Sequence, residues 1–158
     1  MSKFVIYRDK SEGTDQCWRW RLVDDNGARI AKSEEAFLKE NVKPSIKLVQ
    51  GNVNPKTLIC LNGSDDEDGA VYRFAYHQSD KDEQWYWKLQ AGGNNELMAV
   101  GGEGFSSKSK VSRSIENVRL EICRAGITFE NIEDDPAYEA KEANREDKTN
   151  VRKGAPGS

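Results

Sequence analysis

Two short segments combine tryptophan with cationic and aromatic side chains at alternate positions. They are residues 18–22 (WRWRL) and 85–89 (WYWKL), and together they contain all four tryptophans of the chain. In a β-strand, alternation turns the tryptophans and leucines to one face and the intervening residues to the other. The residues of this second face are Arg19, Arg21, Tyr86 and Lys88. On adjacent strands, these side chains could hold single-stranded nucleic acid by phosphate contact and base stacking.

The same strands have a structural interpretation, in which the tryptophans pack under helices and the cations are only solvated. The overall charge favours this second interpretation. The 158-residue chain has 24 Lys and Arg against 27 Asp and Glu, a net charge of -3, whereas a nucleic-acid surface depends on excess positive charge. We therefore interpret the tryptophan face as core and keep nucleic-acid binding as the alternative.

Two loops are similar to ligand-binding motifs but do not match them. Residues 64–69 resemble part of a calcium loop, but Ser64 occupies the first ligand position and Ala75 the twelfth. A solvated linker is favoured there. Residues 101–109 resemble a phosphate loop, but Ser107 replaces the glycine required before the lysine. They predict a glycine-rich turn and a serine-capped helix, whose start could attract an anion weakly.

No residue pattern predicts catalysis. His77 is the single histidine, no serine or cysteine lies in a nucleophile elbow, and Cys17, Cys60 and Cys123 lack metal-ligand spacing. We expect no catalytic, cofactor-binding or metal-binding residues, and no enzyme activity. The odd number of cysteines indicates reduced thiols. With no long apolar run and no signal-peptide pattern, this predicts a cytoplasmic protein without a membrane span.

Similarity between the two halves of the chain extends beyond the tryptophan segments, because apolar residues recur at a spacing of about 68 residues. Each half predicts three strands, a helix and a fourth strand. The predicted strands lie near 3–9, 17–24, 28–33, 57–61, 71–78, 84–91, 96–101 and 127–132. The fold class is therefore α+β, with two tandem β-β-β-α-β repeats in one mainly antiparallel sheet and both helices on one face.

Local signals add detail to this outline. Residues 25–27 (DNG) predict a two-residue turn with positive φ at both asparagine and glycine. In the first helix, Pro44 either begins a short helix or kinks a longer one, and Gly51 is a plausible C-terminal cap. Ser106 or Ser107 can cap the second helix.

The domain boundaries follow from composition. We assign residues 1–61 and 71–132 to the two repeats and residues 62–70 to an acidic linker. Residues 133–158 are charged and poor in large apolar side chains, so they predict a disordered tail.

The second half is similar to the YegP-like family, a domain of unknown function that often occurs as tandem repeats. The matching residues are 98–108 (MAVGGEGFSSK) and 115–118 (IENV). The first half matches at residues 18–22 but departs at 33–37 (SEEAF) and at Pro44. The resemblance implies two β-β-β-α-β units in one sheet, with their last strands exchanged between units. It implies no activity and no catalytic residues.

The favoured function is a non-enzymatic interaction module that acts through its surface, its strand edges or its tail. Exposed edges can pair with a second copy or with another protein. The alternative is a binder of single-stranded nucleic acid that uses the cationic and tyrosine face.

Overall fold

The computed structural model describes residues 1–62, 72–91 and 96–138. In these residues, two α-helices and a short 3-10 helix accompany one eight-stranded sheet, so the α+β class is confirmed. The elements are β1 (Lys3–Arg8), β2 (Trp18–Val23), β3 (Arg29–Ser33), α1 (Lys39–Asn52), β4 (Leu58–Leu61), β5 (Arg73–Gln78), β6 (Trp85–Gln90), β7 (Leu97–Gly101), α2 (Lys108–Arg124), β8 (Gly126–Phe129) and the 3-10 helix Ile132–Asp134.

The strand order in the sheet differs from the order in the chain. It is β4-β5-β6-β7-β3-β2-β1-β8. The two outermost pairs, β4 with β5 and β8 with β1, are parallel, and the pairs between them are antiparallel. β3 and β7 pair at the centre, so strands from both halves of the chain form one continuous sheet.

Both helices cover the same face of the sheet. α1 packs on β1 and β2, α2 packs on β5 and β6, and the helices contact each other. The helical spacing of apolar residues predicted their buried stripes, which are Val42, Ile46 and Val49 in α1 and Val111, Ile115, Val118 and Ile122 in α2. Trp20 and Trp87 are almost completely buried beneath them. The predicted assignment of the tryptophan face to the core is confirmed.

Helix α1 differs from its prediction at both ends. It begins at Lys39 and continues through Pro44, so a helix that begins at the proline is wrong. Burial of Val42 before the proline and Ile46 after it holds both sides of that turn against the core. Gly51 lies inside the helix and is not its cap. The last turn is extended by Val53, which is buried and donates its N–H to the carbonyl oxygen of Val49.

The turn between β2 and β3 also differs. Only Gly27 has positive φ, at 82°, so the predicted two-residue turn with positive φ at both positions is wrong. The Asp24 carboxylate accepts hydrogen bonds from the N–H groups of Asn26 and Ala28, each at 2.9 Å. These bonds favour a loop longer than two residues. The pairing of β2 with β3 shifts register beside it, between Leu22 and Val23.

The remaining sequence expectations concern the cap of α2, the linker and the tail. Ser107 caps α2 by accepting the N–H of Lys110. The predicted linker and tail lie mostly outside the described residues. Of the predicted tail, residues 133–138 are described, and the first two of them belong to the 3-10 helix. No helix in the described part of the chain is long and apolar enough to cross a bilayer.

Candidate functional site

The sheet face opposite the helices carries the four residues proposed for nucleic-acid binding, but the fold separates them into two pairs. Arg19 and Arg21 lie on β2, and Tyr86 and Lys88 lie on β6. The prediction that these strands are adjacent is wrong, because β7 and β3 lie between them. At normal strand spacing the two pairs are about 14 Å apart. The central pairing of β3 with β7, which sequence alternation cannot reveal, causes this separation.

Arg19 is held by two carboxylates of the loop between β1 and β2. Its Nε donates to Oδ2 of Asp9 at 3.0 Å, and its Nη2 donates to Oε1 of Glu12 at 2.6 Å. Its Nη1 also donates to the carbonyl oxygen of Glu34 at 3.1 Å. The hydroxyl and N–H of Ser11, assisted by Arg19, hold the pKa of Asp9 below its usual value, so this carboxylate is charged at neutral pH. The guanidinium therefore fastens the loop between β1 and β2.

Arg21 is also engaged. Its Nη2 donates to Oε1 of Glu130 at 2.8 Å, and its guanidinium lies 4.7 Å from the centre of the Tyr7 ring. Glu130 follows β8, which is next to β1 at one end of the sheet. This contact therefore links residues that are 109 positions apart in the chain.

Tyr86 and His77 form an aromatic pair on the other side of this face. Their ring centres are 6.2 Å apart and the planes are inclined by 29°. The Tyr86 hydroxyl donates to Oδ2 of Asp82, and this bond raises the pKa of Tyr86. The proton of the Tyr86 hydroxyl is therefore already engaged.

Lys88 and Lys32 are two cations near the middle of this face. Lys88 of β6 and Lys32 of β3 flank Val100 of β7 in register, and Arg21 is opposite Lys32 on the far side. Neither lysine makes an ion pair within the described residues. No sequence pattern indicated Lys32, because its own strand has no tryptophan pattern. Its position becomes apparent from the pairing of β3 with β7.

The environment of His77 gives a pH-dependent prediction. Burial and then the charge of Lys88 lower the pKa of His77 below about 6.5, the ordinary value for histidine. Below that pH the unfolded chain takes up the proton more readily than the folded one, so the free energy of unfolding should fall as the pH falls from 7 to 5. His77→Gln should reduce this fall. Urea unfolding across this range measures it.

A titration of the imidazole C2 proton by NMR is unambiguous, because His77 is the single histidine of the chain. We expect a pKa below about 6.5, and a higher value in Lys88→Met. A pKa at or above the ordinary value in the unmodified protein would contradict the prediction.

Strand β4 presents a second feature, an apolar edge. Leu58 and Leu61 are 56% and 43% exposed, and among the described strands β4 has one neighbour, β5. The N–H of Asn62 donates to the carbonyl oxygen of Tyr76 in β5 at 2.8 Å. Because successive residues of a strand alternate in direction, Ile59 and Leu61 direct their N–H and C=O groups away from β5. No strand of the described residues pairs with this edge.

The fold and these surfaces define a class of protein: an α+β domain with one mixed sheet, helices α1 and α2 on one face, and no helix of the described residues packed on the other. A family model described as a domain of unknown function, DUF1508, matches residues 80–122. No curated protein matches the chain significantly.

Two solved structures are similar to this fold. One is the solution NMR structure of a UPF0339 protein from Shewanella oneidensis, with a TM-score of 0.57 and 19% identity over 81% of this chain and 90% of the other. The second is the solution NMR structure of yegP from E. coli, a protein of unknown function, with a TM-score of 0.54 and 15% identity over 82% and 92% of the two chains. With the family match, these structures confirm the resemblance to the YegP-like family, whose function is unknown.

Proposed function

We propose that the protein is a non-enzymatic interaction module, built from two tandem units, that associates with a second copy of itself through the edge of β4. The observation that carries this proposal is the outer edge of β4, which pairs with no other strand of the residues that the structure describes and has two exposed leucines. The cytoplasm is the proposed location, and the free cysteines Cys17, Cys60 and Cys123 fit a reducing compartment.

Matched contacts in the two halves support the tandem units. An edge-to-face pair joins Phe4 to Trp20 at 5.2 Å, and a similar pair joins Phe74 to Trp87 at 5.5 Å. The other tryptophan of each half forms an isolated bridge, Trp18 with Phe37 and Trp85 with Phe105. The register shift after Leu22 in β2 is matched by one after Leu89 in β6. Similar residues thus make similar contacts about 68 positions apart.

The composition of β4 supports pairing at its edge. Its sequence, LICL, contains no charge and no proline, which are the devices that usually protect an edge strand from association. Burying Leu58 and Leu61 would contribute apolar surface at about 25 cal/mol per Å². New main-chain hydrogen bonds would add to this term.

The geometry of the edge favours a second copy as its occupant. Antiparallel pairing about a twofold axis at Cys60 would bring the outward-directed groups of Ile59 to those of Leu61 in the second copy. Cys60 would then face its own equivalent at a position without hydrogen bonds, where Cα atoms lie about 4.5 Å apart. Side chains on the same face of the sheet would meet across the new pair, as a continuous sheet requires.

Leu61→Pro tests this mode of association. The substitution removes an outward-directed N–H while the pairing of β4 with β5 is retained. We expect dimerisation of the unmodified protein to be weakened about tenfold or more by Leu61→Pro. Leu61→Val, which keeps the N–H and the strand preference, should still dimerise. Sedimentation equilibrium under reducing conditions measures both variants, and circular dichroism verifies that each is folded.

Cross-linking gives an independent readout if Leu61→Pro fails to fold. In Cys123→Ser, mild oxidation should produce a covalent dimer through Cys60, because the expected Cα separation is within disulfide range. Adding Cys60→Ser should abolish it. The proposed self-association would be overturned if the protein stayed monomeric at about 1 mM, a concentration that reveals even weak dimers, and formed no Cys60 cross-link.

The alternative function, binding of single-stranded nucleic acid, has support only from Lys32, Lys88 and the ring of Tyr86. Arg19 and Arg21 already bind carboxylates, so a phosphate would have to displace them. Titration with single-stranded oligonucleotides at low and high salt tests this alternative, since phosphate binding weakens steeply with salt. Salt-dependent binding that Lys32→Gln with Lys88→Gln abolishes would support it over the β4 proposal.

A further inference from the structure

A cleft of about 410 Å³ lies beside α2, on the helix side of the molecule and away from β4. Its walls are the first turns of α2, the turn between β2 and β3, and residues 102–105. This volume is within the range of small-molecule sites, about 300–1,000 Å³. The cleft is thus large enough for a ligand of a few carbon atoms with a polar head group.

The floor of the cleft is apolar and firmly held. It contains Ile30, Phe105 and Val118, of which Val118 is 1% exposed. The main chain of Phe105 is fixed by two hydrogen bonds with Trp85, at 2.7 and 2.8 Å. Gly102 approaches β3 so closely that a Cβ there would lie 2.5 Å from the carbonyl oxygen of Arg29. The floor therefore exists before any ligand binds.

The rim of the cleft has an excess of available positive charge. Its cations are Arg29, Lys110 and Arg113, all exposed. Arg29 and Arg113 form no ion pair in the described part of the chain, and the Lys110 ammonium group donates to the Ser106 hydroxyl, at 3.0 Å.

Two carboxylates also line the cleft. Asp24 accepts the two N–H groups of its turn. Glu103 is the one lining carboxylate that makes no hydrogen bond or ion pair with the described residues. The adjoining groove toward the N-terminus shows a contrast. There Asp25 pairs with the amino group of Met1, and Glu121 pairs with Arg124 at 2.7 Å. The uncompensated charge is thus confined to the end of the groove that has the apolar floor.

We propose that this cleft binds a small amphiphilic anion, a carboxylate with an aliphatic or aromatic body. The apolar body lies on Ile30, Phe105 and Val118, and the carboxylate is bound by Arg29 and Arg113. A guanidinium group can bind a carboxylate through two parallel hydrogen bonds. Arginines are therefore well suited to bind the carboxylate of such an anion. The anion supplies the negative charge that the rim lacks.

Octanoate is the probe, with 1-octanol and inorganic phosphate as matched partial probes. Octanol has the same apolar body without the charge, and phosphate has charge without the body. We expect octanoate to bind with a dissociation constant of about 1 mM or tighter, and each partial probe to bind at least about tenfold more weakly. Two-dimensional NMR should show the largest shifts at residues 28–30, 102–105 and 113–118.

Arg113→Gln and Arg29→Gln should each weaken the binding of octanoate about tenfold, as expected for the loss of a charge-assisted hydrogen bond. Lys47→Gln is the matched control, because it removes the same charge from an exposed position of α1 that does not line the cleft. Equal binding of octanol and octanoate, an equal effect of Lys47→Gln, or shifts located elsewhere would each overturn the proposal. None of these outcomes depends on association through β4.

Discussion

Replacing Trp20 with alanine is expected to lower the free energy of unfolding by about 3–5 kcal/mol. Trp20 is 1% exposed and lies edge-to-face on Phe4, with ring centres 5.2 Å apart. Its removal leaves a cavity between β2 and α1 that the surrounding structure can close only in part. A domain of this size has a total stability of about 5–15 kcal/mol, so much of the protein's stability would be lost. Urea unfolding followed by circular dichroism measures the change.

Trp85→Ala is the matched control for this prediction. Trp85 belongs to the second tryptophan segment, but it is only half-buried and makes a tilted contact with Tyr76 at 6.0 Å. Its loss should therefore be smaller, about 1–2 kcal/mol. A Trp20→Ala protein that loses less than Trp85→Ala would contradict the assignment of the β2 tryptophan to the centre of the core.

Gly101→Ala is expected to destabilise the protein by about 1–3 kcal/mol through overpacking. A Cβ at this position would lie 2.6 Å from Nε1 and 2.9 Å from Cε2 of Trp87. The indole is 2% exposed and packs against Phe74, so it has little room to move away. Either the ring leaves its preferred rotamer or β7 shifts relative to β6. The midpoint of urea unfolding reports the size of the effect.

Gly51→Ala should have the opposite effect. Gly51 lies inside α1, and apart from its chain neighbours and the backbone of its own helix no described atom lies within 4 Å of the added Cβ. Alanine there should stabilise the helix by about 0.5–1 kcal/mol. If both substitutions change stability in the same direction, the tight contact between Gly101 and Trp87 does not determine the result.

Period-2 alternation in residues 18–22 was sufficient to predict that Trp20 and Leu22 are buried, because both strand faces are determined locally. The same alternation predicted that Arg19 and Arg21 face away from the core. It could not predict what binds them. Glu130, the partner of Arg21, lies 109 residues away in the chain and reaches it only because β8 pairs with β1. An ion pair of this kind depends on strand order, which no local pattern determines.

The candidate site illustrates the same limit. Lys88 was predicted from its strand, but Lys32, which flanks the same valine from the other side, was not. Pro44 is a further case: local preference predicts a break, yet α1 continues because residues on both sides of the proline are buried. Tertiary burial outweighs the local preference at that turn.

The positions of β4 and β8 have a consequence for how the molecule comes apart. β4 follows α1 in the chain but pairs with β5, and β8 follows α2 but pairs with β1. The last strand of each half of the polypeptide therefore pairs with the first strand of the other half. Unfolding of one half would remove a strand from the sheet segment of the other half and expose the core of both. We therefore expect the two halves to unfold in a single cooperative transition.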